Sequence, residues 1–160
     1  MKRRRLERQE RGSTLVEFGL VIVVLLMLMF GVIDFARALY AYHFVANAAR
    51  EGTRYAIVHG AVALGCTTSP CAAPDPTPIV DYVANLAVGS GIIKTSTDPS
   101  LQVTPNWPPA ADGGSNCDTV PNNPGCTVQV RVTYNFKFIF PFLPTSTYPM
   151  TSTSEMVISQ

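Results

Sequence analysis

Few side chains in this 160-residue chain have the type and spacing to do chemistry. Four cysteines, Cys66, Cys71, Cys117 and Cys126, suffice for two disulfides. Two histidines, His43 and His59, lie sixteen positions apart, and neither has a cysteine or carboxylate at a triad-like interval. One carboxylate stands out. Glu17 sits just inside an apolar run from Leu15 to Ile33. An ionisable group there costs about 3 kcal/mol unless it is paired or close to water. A cut between Gly12 and Ser13 would create a positive amine to pair with it. In an assembly of parallel helices, Glu17 of one subunit would meet the amine of a neighbour, and the pair would set their axial stagger. Within a single chain, Glu17 near the start of a helix also gains from the helix dipole.

The sites of catalysis recognisable from short motifs are missing. The chain has no HExxH, no GxSxG, no phosphate-binding loop and no dinucleotide fingerprint. "GSG" at Gly89 to Gly91 reads as a helix stop, "LPTST" at Leu143 lacks the glycine of a sorting signal, and Trp107 reads as core. The cysteine spacings are not CxxC, and no histidine falls at a matching interval, so zinc is not expected. The expectation is a protein that is not an enzyme, with no cofactor, no metal and no small-molecule substrate.

The elements that would position Glu17 are a basic head and a membrane span. Lys2, Arg3, Arg4, Arg5, Arg8 and Arg11 face only Glu7 and Glu10, so the head carries a surplus of four positive charges, while the rest of the chain is net negative. Beside an apolar run, such a head sets topology, with Lys and Arg on the cytoplasmic side, rather than binding nucleic acid. At ~1.5 Å per residue the apolar run, extended by Ser13 and Thr14, crosses a ~30 Å hydrocarbon core. It is longer than the ~7–15-residue apolar stretch of a cleaved secretory signal.

The helical pattern does not stop at Ile33. Between Phe35 and Ala56 there is no proline and one glycine, Gly52. Phe35, Leu39, Tyr42, Ala46, Ala49, Thr53 and Ala56 are expected to form one apolar stripe, with Arg37, Asn47, Arg50 and Arg54 opposite. The small residues of the stripe suit either helix–helix packing or cover of the protein's own sheet. Asp34 with Arg37, and Glu51 with Arg54, are spaced to pair. A second helix is expected within "DPTPIVDYVANLAVGSG", with Ile79, Tyr82, Val83 and Leu86 on its apolar face. "LQVTPNW" alternates briefly. "CTVQVRVTYNFKFIF" alternates strongly, with Val128, Val130, Val132, Tyr134, Phe136 and Phe138 on one face, until Pro141 and Pro144; "TSTSEMVISQ" supplies a last strand. All four cysteines follow the span, on the side that permits disulfides. Of three pairings the local one, Cys66–Cys71 and Cys117–Cys126, is favoured, because each pair brackets one turn-rich loop. The division is then a leader at 1–12, a membrane half-helix at 13–33, a projecting half-helix at 34–62 and a disulfide-bearing α+β domain at 63–160.

A basic leader, Gly12, a small residue, Glu17 five positions past the glycine and an aromatic, Phe18, next to it resemble the processing site of type IV prepilins. The stretch "GSTLVEFGLVIVVLLMLMFGVIDFARALYAYHFVANAAREGTRYA" resembles the TadE-like family, pseudopilins of the tight-adherence (Flp) pilus machinery. The resemblance implies a pilin-like α+β fold, in which a long N-terminal helix packs on a small antiparallel sheet. It implies a membrane prepilin peptidase cutting between Gly12 and Ser13, with Glu17 as the acidic assembly or recognition position. Further implied partners are the bacterial inner membrane, other pilins or pseudopilins and the pilus assembly platform. The chain is far longer than a major Flp pilin, so a minor or accessory subunit is implied. The alternative is an uncleaved, single-pass anchored binding module outside the inner membrane.

Overall fold

The computed structural model describes residues 3–63, 75–108, 125–139 and 147–158, with side chains described from residue 13 in the first stretch to residue 59. The element order is α1 (Arg3–Ala63), α2 (Thr77–Gly89), β1 (Leu101–Asn106), β2 (Thr127–Phe136) and β3 (Tyr148–Val157). By packing, the chain divides into one unit of Met1–Ala38 with Phe138–Pro144 and a second of Leu39–Lys137 with Thr145–Gln160.

Helix α1 begins earlier than expected. Its backbone is helical from Arg3, through the leader and across Gly12. The leader is built of Arg, Leu, Glu and Gln, all strong helix formers, and an interior glycine costs only ~1 kcal/mol relative to alanine, too little to end a helix with no proline in it. In the first unit, the helix buries almost nothing: none of its most apolar window is covered by protein.

The second unit has a core. The sheet order is β1-β2-β3, with both pairings antiparallel. Val128, Val130 and Val132 point from β2 into the core, while the other face carries Arg131, which is exposed, and cross-strand contacts of Gln129 with Glu155 (3.4 Å) and Thr133 with Thr151 (3.1 Å). The expected alternation of β2 is therefore observed, but the strand ends at Phe136, before Pro141. Its partner β3 begins at Tyr148, opposite Phe136, where the described ladder of the β2–β3 pair ends. Phe138 accordingly lies outside the strand and is exposed, against the expectation that it would share the buried face. β3 begins three residues earlier than expected and includes Pro149, while β1 includes Pro105. Both strands are edges of this three-stranded sheet, where a missing N–H is tolerated.

Ala48, Ala49 and Ala56 of α1 and Ile79, Val83 and Ala87 of α2 cover the apolar face of the sheet. At Gly52 the helix backbone lies close to α2 and β2. A Cβ there would lie 2.9 Å from Val83 Cγ2 and 3.2 Å from Val130 Cγ1. The small residues of the outer helix thus pack on the protein's own sheet and on α2. The expected stripe holds in its outer part, where Ala49, Thr53 and Ala56 are fully buried, but not before it: Phe35, Leu39 and Tyr42 are exposed, and Ala41, Phe44, Val45 and Ala48 are buried in their place. The predicted polar face of Arg37, Asn47, Arg50 and Arg54 is exposed as expected.

Helix α2 closes at "GSG" as the sequence suggests, by a defined mechanism. Gly91 takes a left-handed φ of 75°. Its N–H donates to Val88 O (3.0 Å), and the N–H of Ile92 donates to Ala87 O (3.2 Å), the paired bonds of a Schellman ending. At the other end, the Asp75 carboxylate accepts from the Thr77 N–H (2.9 Å) and the Thr77 hydroxyl (2.6 Å).

Candidate functional site

The candidate site is the head of the span. Ser13 and Glu17 are one helical turn apart on one face of α1, and both are exposed, as is Phe18. No partner for Glu17 occurs among the described residues. Its carboxylate is exposed on a helix that is itself unburied. Gly12 and Arg3, Arg4, Arg5, Arg8 and Arg11 lie on the helical backbone, but their side-chain environment is outside the described residues, as is Lys2 altogether.

Below this head the helix is apolar all round. Leu15, Leu20, Leu28 and Val32 are each 60% exposed or more. A helix apolar on every face is buried in a protein core or spans a membrane. The first case is removed by its exposure here, and the apolar stretch is long enough to cross a bilayer. The structure thus supports single-pass membrane anchoring through α1.

The span ends at a polar lock that the sequence reading captured only in part. Asp34 follows Ile33 directly and is 4% exposed. Its Oδ1 accepts from the Arg37 guanidinium at 2.8 Å, the i,i+3 pair expected. Its Oδ2 accepts from the backbone N–H of Ile139 at 3.0 Å, a contact across 105 positions that no local pattern announces. The position of Asp34, the first charge after the apolar run, was the one available signal.

Residues 12–54 match the family model described as TadE-like protein. No curated protein and no solved structure matches the chain. The TadE-like segment covers about a quarter of the sequence, and it contains Gly12, Ser13, Glu17, Phe18, the whole apolar span and Asp34. The residues that the resemblance singled out and those that the structure leaves exposed at the head of the span therefore fall in one matched segment.

The remaining predicted residues are distributed unevenly. Cys126 is buried in the core cluster of the second unit and is disulfide-bonded. Cys66, Cys71 and Cys117 lie outside the described residues, so the local pairing does too. His43 is exposed, edge-on to Tyr42 with ring centroids 6.0 Å apart. His59 stacks on Tyr55 at 3.9 Å, and Tyr55 stacks in turn on Tyr82 of α2 at 4.5 Å. These rings tie α1 to α2, a packing role for residues spaced like core.

Proposed function

We infer that this chain is a TadE-like pseudopilin, a non-enzymatic structural or accessory subunit of tight-adherence pilus assembly. The observation that carries the reading is the TadE-like match over residues 12–54, at whose start Ser13 and Glu17 stand exposed on an unburied apolar helix. On this reading a prepilin peptidase cuts between Gly12 and Ser13. Glu17 then meets the new Ser13 amine of a neighbouring pilin or pseudopilin. The pairing offsets the cost of holding a carboxylate at the bilayer edge. The leader stays cytoplasmic and the second unit lies outside the inner membrane. That orientation agrees with the disulfide at Cys126, since such bonds persist in oxidising compartments. The favoured pairing remains Cys66–Cys71 and Cys117–Cys126.

Mass spectrometry of the chain from cells with and without the peptidase tests the cut. A product beginning at Ser13 only when the peptidase is present is expected. Gly12→Leu should abolish that product, because a side chain at the scissile glycine obstructs close approach of the backbone to the enzyme. Chains beginning at Met1 in both strains would defeat the processing claim.

One observation favours the second reading, an uncleaved anchored binding module. The backbone of α1 is helical through Gly12 and Ser13, and a helix conceals the peptide bond that a protease must reach. Cutting therefore requires local unwinding there, which Gly12 makes easier by ~1 kcal/mol relative to alanine.

A further inference from the structure

We propose that Phe138 and Ile139 form a second membrane contact, seated in the outer interfacial layer of the bilayer beside the end of the span. The inference rests on the reading of α1 as a membrane span. The hydrogen bond from the Ile139 N–H to Asp34 Oδ2 fixes this segment's depth. Asp34 is the residue immediately after the apolar run, so Ile139 is held at the level where the helix leaves hydrocarbon. Ile139 is 69% exposed and Phe138 37%, both within the same packing unit as the span. Ile33 and Phe35, either side of Asp34, are 49% and 65% exposed. Around Asp34, two segments of one packing unit thus display exposed apolar side chains, next in sequence to the apolar span.

The polar groups at this level also fit an interface. Asp34 is buried against Arg37 and the Ile139 N–H, so the first carboxylate after the span does not face lipid. The same bond satisfies a backbone donor that would otherwise lack a partner wherever water is scarce, a costly state in lipid. A segment meant for bulk water has no need of such a bond and gains nothing from displaying Ile139. A lipid surface is the occupant that the geometry suits, with apolar side chains entering the headgroup–acyl boundary as interfacial elements do.

Depth-dependent fluorescence quenching in liposomes tests this on the full chain. Trp107 is the sole tryptophan, so Trp107→Phe supplies a dark background. Into it go Ile139→Trp, which leaves the backbone donor intact, and separately Leu25→Trp in mid-span. Leu25→Trp should be quenched most by lipids brominated deep in the acyl chain. Ile139→Trp should show blue-shifted emission, quenched most by bromines near the headgroup and little by aqueous iodide. Adding Asp34→Ala should shift that tryptophan's emission to the red and open it to iodide. Iodide-accessible, bromine-insensitive emission from Ile139→Trp, with Leu25→Trp quenched normally, overturns the proposal alone. Failure of both probes to sense bromine overturns the span with it.

Discussion

At the scale of single residues, the carboxylates show how much depends on partners. Glu17 has none among the described residues and Asp34 is locked, yet both were visible in the sequence as charges at the two edges of an apolar run. What the sequence lacked was Ile139, because a backbone N–H leaves no trace in residue type. The exposed carboxylate of Asp75 and the half-buried one of Asp98 give a titration prediction. The hydroxyl and backbone N–H of Thr77 hold Asp75 below the ordinary carboxylate range, and Ser100 does the same for Asp98. A group whose pKa is lower folded than unfolded stabilises the fold above its unfolded value, ~3.9, and that contribution is lost as pH falls through it toward the folded value. Carboxyl NMR titration should therefore place both midpoints below those of matching peptides. Thr77→Val should return Asp75 toward the ordinary value, because the hydroxyl is its main support, while leaving Asp98 unmoved. An Asp75 midpoint unaffected by Thr77→Val would remove the hydroxyl from the account.

At the scale of elements, periodicity identified the strongly patterned strand β2, helix α2 and its "GSG" ending, because each has one buried face and turn residues with a single best use. On α1 it found the buried face at Ala49, Thr53 and Ala56 but misplaced its earlier part, putting Phe35, Leu39 and Tyr42 where Ala41, Phe44, Val45 and Ala48 stand. Alternating steps of three and four fit more than one face of an alanine-rich helix, and the true face is chosen by tertiary packing on the sheet and on α2. Once Val130 and Val83 are seen to need backbone-close contact, Gly52 marks that face, which runs through Ala48, Ala49 and Ala56. Gly52→Ala therefore sets two effects against each other. Alanine favours the helix by ~1 kcal/mol. Forcing a Cβ against two β-branched side chains costs typically ~1–3 kcal/mol, and neither valine has a flexible end to move aside. The expected outcome is a net loss of stability, read as a lower denaturation midpoint of the second unit's signals. Gly31→Ala, whose Cβ meets nothing within 4 Å, should leave that midpoint unchanged. A stabilised Gly52→Ala protein would mean that the contact relaxes at little cost.

At the scale of the whole molecule, the near-neutral charge conceals a division of labour legible from the sequence alone. Six Lys and Arg precede the span, while only Arg37 and Arg50 fall within ~20 residues after it, the range over which such charges set orientation. Orientation has a chemical consequence here, because Cys126 sits in the core of the second unit and is disulfide-bonded. A chain inserted the wrong way would hold that core in a reducing compartment and lose a cross-link of a kind typically worth ~2–4 kcal/mol. On the proposed orientation, charge at one end of the sequence would govern the covalent state of the other. Replacing Arg3, Arg4 and Arg5 by Gln reduces the bias from six against two to three against two. A reporter enzyme active only outside the membrane, fused after Gln160, should then lose activity in proportion to the misinserted fraction. Free thiol at Cys126, read by alkylation before reduction, should rise by the same fraction. Arg3, Arg4 and Arg5 replaced by Lys keep the charge and should restore both readings, whereas a loss persisting with Lys would point to the arginine side chains rather than their charge. An undiminished reporter signal and a fully oxidised Cys126 in the Gln variant would show that the head does not set orientation.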